Sequence, residues 1–142
     1  WVDDDASTDA LRNKGGNRPS APLSYALDGG FTVYVGRNNR QNDHLTFQLA
    51  EKNDYWFHVK DRPGSHVILS CRAGEPEPEI LEQAADLAAL YSSASQGDKI
   101  PVDYTRVKFV KKTPGAKPGM VIYDKYKTIL ASPDRAKQRH KL

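Results

Sequence analysis

One strongly amphipathic stretch constrains this chain more than any other feature. Ile80, Leu81, Ala84, Leu87, Ala88 and Tyr91 recur at three- and four-residue spacing, the period of one face of an α-helix spanning 79–94. Pro78 suits its first turn, and Glu77, Glu79 and Glu82 lie near the positive end of its dipole. A helix with one apolar side has to bury that side, and the rest of the chain offers mainly short β-type segments. FTVYV (31–35) is β-branched and aromatic. YWFHVK (55–60) and HVILSC (66–71) flank the turn DRPG (61–64) and read as a hairpin. VDYTRVKFV (102–110), MVIY (120–123) and KTILA (127–131) follow as further strands. A second, shorter helix is expected over HLTFQLAEK, capped by Asn42 or Asp43, with Leu45 and Leu49 turned inward. The pattern predicts an α+β fold, a largely antiparallel sheet with two helices packed on one face.

The 142 residues suit one domain. Residues 1–28 mix an acidic cluster with Gly, Asn, Pro and Ser and show no sustained period, so they are expected to be a linker or partly ordered arm. The folded module is then 29–142, with a basic tail from about residue 134. A start at Trp1 rather than Met suggests a piece of a longer protein. Cys71 is the lone cysteine, which excludes an intrachain disulfide and a Cys-based zinc site. No metal or cofactor is expected, and a reduced cytoplasmic setting is the default. No apolar run approaches the roughly 20 residues of a membrane span.

The net charge of +3 conceals an asymmetry. Residues 106–142 carry eleven basic side chains against Asp124 and Asp134, a net +9, which leaves −6 on the rest. Lys111, Lys112 and Lys117 crowd the loop KKTPGAKPGM, and such a cluster suits a polyanion, whose phosphates need several charges on one surface.

Two further segments carry candidate chemistry. GRNNRQND (36–43) is polar throughout: Arg37 and Arg40 offer planar multi-donor contacts to phosphate, while Asn38, Asn39, Gln41, Asn42 and Asp43 suit base edges or backbone groups as well as turns and caps. The hairpin places His58, Lys60, Asp61, Gly64, Ser65 and His66 around one turn. His, Asp and Ser together invite a hydrolase reading, with His58 or His66 as base. Strand geometry weighs against it. If Asp61 and Gly64 face one another, the two histidines point to opposite faces, and only an odd-length loop or a bulge brings them together. Tyr55, Trp56 and Phe57 supply either stacking surface or core.

The blocks GRNNRQND, WFHVKDRPGSHVIL, AADLAALYS, VDYTRVKFVKK and GAKPGMVIY, in that order between Phe31 and Pro133, resemble the C-terminal RNA-binding module of the NFACT proteins. That family includes fibronectin-binding protein A and the nuclear export mediator factor. The resemblance implies part of a ribosome quality-control factor, which binds the large ribosomal subunit and tRNA during template-free tailing of stalled chains. It implies rRNA and tRNA as partners, with no catalysis by the module itself. Its functional surface would draw on Arg37, Asn38, Asn39, Gln41, Asn42, Asp43, His58, Lys60, Asp61, Gly64, Ser65 and His66. Fibronectin binding is the alternative that the family's other name carries. Arg62 falls where the family pattern varies.

Overall fold

The computed structural model describes residues 21–94 and 99–142. In chain order the elements are β1 (Leu23–Ala26), β2 (Thr32–Val35), α1 (Asn39–His44, continued by a π-helical turn, Leu45–Leu49), β3 (Tyr55–Val59), β4 (Val67–Leu69), α2 (Pro78–Leu90), β5 (Ile100–Arg106), β6 (Val110–Lys111), β7 (Ile122–Tyr123), β8 (Lys127–Ala131) and α3 (Pro133–His140). Six strands form one antiparallel sheet in the order β1-β2-β4-β3-β5-β8, and β6 pairs with β7 as a separate ribbon. The α+β reading holds.

Alternation along the strands divides the core in two. Val33, Val35, Phe57, Val67, Leu69 and Val102 point to one face, where they meet Ile80, Ala84, Leu87 and Ala88 of α2 together with Ala136 of α3. Trp56 and Ile68 point to the other face, where they meet Leu45, Val107 and Val110. The first face is broad and apolar. The second is smaller, and polar groups surround it.

Two helices do pack on one face, but they are α2 and α3 rather than the pair the sequence suggests. The early helix lies across the sheet from them, because Leu45 and Thr46, buried in its π-helical turn, both sit among second-face partners. The basic tail is α3, a docked helix rather than an extension. Its anchor is Asp86, fully buried on α2, which accepts from Ser132 N at 2.8 Å and from the Arg135 guanidinium at 3.0 Å, with Arg139 at 3.5 Å. A buried carboxylate is tolerable only with such donors. The arm expected over 1–28 is corrected too: Leu23–Ala26 is an edge strand of the sheet, paired with β2, while residues 1–20 lie outside the described residues.

Helix α2 stops at Leu90, short of the expected residue 94. The Ser92 hydroxyl donates to Ala89 O at 2.7 Å and accepts from Ala94 N, a local bond that competes with the helical ladder.

Candidate nucleic-acid interface

The polar run GRNNRQND is itself helical. The helix starts at Asn39, and Asn38 caps it by accepting from Gln41 N at 2.8 Å, so the cap lies upstream of Asn42 and Asp43. Three of the expected site residues turn inward: Asn38, Gln41 and Asn42 are buried. Gln41 Oε1 accepts from Arg37 N at 2.6 Å, and Asn42 Oδ1 accepts from His66 N at 3.1 Å. Asn42 sits so close to the chain that a Cβ on Gly36 would lie 2.0 Å from its Oδ1. Asn39 and Arg40 are exposed, and Arg37 is half-buried.

The hairpin register corrects the expectation about the histidines. Tyr55 pairs with Leu69, Trp56 with Ile68 and Phe57 with Val67, an odd-length register that sets His58 across from His66. Both rings therefore share the second face, with centroids 5.7 Å apart. Trp56 lies parallel to His58 and edge-on to His66, and Tyr123 closes the cluster at 4.6 Å from Trp56.

His66 is committed to the fold. Its Nε2–H donates to Gly119 O at 3.3 Å, because a carbonyl only accepts, so Nδ1 accepts from the Thr46 hydroxyl at 2.9 Å. Burial first, and then the neighbouring His58, pull its pKa down to about 3. No lone pair of this imidazole is left to act as a base. Burial also lowers His58, against opposing contributions from the Val59 and Gly64 backbone and from Asp103. Ser65 is buried beside His66 in sequence, and its Oγ has no hydrogen-bond partner among the described residues. The Ser-His-Asp arrangement is thus not assembled.

Gly119 joins the three sequence blocks. Gly119 N donates to Asp43 Oδ1 at 2.9 Å, and Asp43 Oδ2 pairs with Lys112 at 3.0 Å. Lys112 also donates to the carbonyls of Lys117 and Met120. Gly119 has φ +85°, a conformation that favours glycine, and a Cβ there would press on the exposed Asn39 side chain, 2.7 Å from its Oδ1. The loop 112–121 is therefore fastened to α1 and β4 by Asp43, Lys112 and His66. Lys112 is spent inside this fastening, whereas Lys111 and Lys117 are exposed.

A second polar hub lies nearby. Buried Asp103 accepts from the Tyr123 hydroxyl at 2.6 Å and the Thr128 hydroxyl at 2.8 Å, and Lys60 pairs with it at 3.2 Å. The hydrogen bond to Asp103 raises the Lys60 pKa, and Lys60 also lies over the Tyr126 ring at 4.8 Å. Asp61 is exposed at the hairpin tip with φ +57°, while Gly64 is buried and bridged to Ser92. Sequence reasoning missed Asp103, Thr46 and Gly119 as organisers. Lys108 and Lys125 have their ammonium groups 5.4 and 4.9 Å from the Phe109 ring. The alternating polar positions of VDYTR, facing a second covered side of the sheet, were the available signal for Asp103.

The family model for the NFACT protein RNA binding domain matches residues 23–125. The chain belongs to this family. It is 44% identical over 119 residues to the Rqc2 homolog RqcH of Bacillus subtilis, covering 82% of this chain and 20% of that protein. A Streptococcus pneumoniae RqcH is 45% identical over 112 residues. Mouse coiled-coil domain-containing protein 25 is 30% identical over 104 residues, covering half of its length. The solved C-terminal part of the fibronectin/fibrinogen-binding protein from Streptococcus suis aligns with TM-score 0.79 at 40% identity, covering 85% of this chain and 49% of that one. The chain thus spans about a fifth of the RqcH relatives. The family resemblance read from the motif blocks is borne out, and the matching family is described as an RNA-binding domain. No helix among the described residues is long and apolar enough to cross a membrane.

Proposed function

We propose that this chain is a non-catalytic RNA-holding module of a cytoplasmic ribosome quality-control factor, contacting rRNA or tRNA on the large subunit while the parent protein supports template-free tailing. The observation that carries this reading is the convergence of the family's motif blocks on one loop. Asp43, His66 and Lys112 fix residues 112–121 in place, with Lys117 exposed on this loop and Lys111 exposed in β6 just before it. Cations held on a fastened loop lose less freedom on binding than cations on a loose one. The affinity is phosphate-based and salt-dependent, with little base-specific reading by the lysines. Of the residues expected at the surface, Asn38, Gln41, Asn42, Ser65 and His66 support the interface from below, and Arg40, Lys60, Asp61, Lys111 and Lys117 line it.

The test is anisotropy titration of labelled tRNA and rRNA fragments at two salt concentrations, with co-sedimentation on large subunits. Replacing Lys111 and Lys117 by Glu, with Lys112 untouched, lowers affinity and flattens the salt slope by about 0.7–0.9 per lost phosphate contact. An unchanged slope overturns the assignment. A protein partner is the second reading, favoured by the solved relative's description as a fibronectin/fibrinogen-binding protein; binding that survives nuclease treatment supports it.

A further inference from the structure

A cleft of about 520 Å³ opens between the hairpin tip and the fastened loop, a size within the range of small-molecule sites. Trp56 and His58 line it with nearly parallel rings, 6° apart in plane, and Pro63, Pro118, Met120 and Val121 add apolar surface. Met120 is 62% exposed, an unusual position for a long apolar side chain on a lysine-rich loop. Trp56 itself is fully buried, and its Nε1–H is a donor with no acceptor among the described residues. Asp61 and Asn39 bring hydrogen-bonding groups to the cleft, and Arg62 stands opposite Asp61 in charge.

The balance of these groups argues for the kind of occupant. Asp61 offsets Arg62, so the cleft has no excess of positive charge to favour a phosphate. The cations Lys111, in β6, and Lys117, on the loop that forms one side of the cleft, are not among the lining residues. A flat, neutral heteroaromatic group with polar edges meets both requirements: it lies against the apolar surface and offers partners to the Asn39 amide and the Asp61 carboxylate.

We infer that this cleft receives one unpaired nucleobase of the bound RNA, with Met120 and His58 as its contact surfaces and Asp61 selecting bases that present N–H donors. The inference rests on the RNA-binding reading and adds a base pocket to it. A base lodged there is recognised by shape and by its edge, whereas the surrounding contacts are indifferent to sequence.

The test uses the full chain with Trp1→Phe, which leaves Trp56 as the sole tryptophan. Three hairpin RNAs serve as probes: one with a single bulged guanine, one with an abasic bulge, and one fully paired. The bulged guanine should quench Trp56 fluorescence and bind about tenfold more tightly than the abasic probe, the scale of one lost base–aromatic contact. Met120→Ala, at an exposed position, and Asp61→Asn should narrow that difference without shifting the melting temperature. If all three probes bind equally and none quenches Trp56, the base pocket is wrong while the RNA-binding reading stands. If none binds at all, both fall.

Discussion

The two faces of the sheet solve different problems with the same strands. On the α2/α3 face, alternate residues of β2, β3, β4 and β5 are Val, Phe and Leu packed on a helix rich in alanine, and one buried carboxylate, Asp86, fastens the C-terminal helix. On the other face, the intervening residues are Trp56, His58, His66, Asp103 and Thr105, covered by a polar helix and a lysine-bearing loop. The first face resembles any small α+β core, and its energetics are those of apolar burial. The second spends buried polar groups on holding one loop in place. Stability and display are therefore separable, and four experiments press on that division, from the largest expected effect to the smallest.

Leu87→Ala empties a fully buried position on the apolar face and should cost about 3 kcal/mol in urea unfolding. RNA affinity per folded molecule should be unchanged. Acidification strikes the other face. The folded-state pKa of His66 lies near 3, below the unfolded value of about 6.5, so the unfolded chain binds the extra proton between these values. The stabilisation from neutral His66 is complete above about pH 6.5 and is lost progressively as pH falls toward 3, about 2 kcal/mol of it by pH 5. His58, also lowered, adds in the same direction. Urea midpoints at pH 7 and pH 5 measure this, and His66→Gln, whose amide can donate to Gly119 O and accept from Thr46, should flatten the dependence.

Asp43→Ala removes the acceptor of Gly119 N and the partner of Lys112. Its stability cost should be about 1–2 kcal/mol, since the ion pair is part-exposed and one backbone donor is left unpaired. RNA affinity should fall by more than that cost explains, because the loop loses its position. Smallest in stability is the double change Lys111→Glu and Lys117→Glu, expected within about 0.5 kcal/mol of the native chain by thermal melting, with its effect confined to RNA binding and its salt slope.

The contrast between the faces also explains what could be read from the residues alone. Helix α2, the strands around FTVYV and the hairpin were legible because apolar periodicity reports burial directly. The second face was not, because its burial is carried by polar side chains whose partners lie far along the chain. Asn42 and His66 are 24 positions apart, and His66 and Gly119 are 53 apart. A run such as GRNNRQND reads as an exposed loop until Asn38 is seen capping a helix and Asn42 is seen buried against Gly36. The hairpin register turned on a single residue of loop length, and that residue decided whether the histidines met. Arg135 and Arg139 count toward the basic excess of 106–142, and their partner, Asp86, lies on another helix. The blocks that resembled the family were right about kinship and silent about which of their residues face out.

The most direct measurement compares RNA affinity per folded molecule for Leu87→Ala and Asp43→Ala at one salt concentration, in conditions where both remain mostly folded. A polar face dedicated to display predicts native affinity for Leu87→Ala, despite its larger loss of stability, and clear weakening for Asp43→Ala. Equal weakening in both, or none in Asp43→Ala, would contradict the division of labour between the two faces.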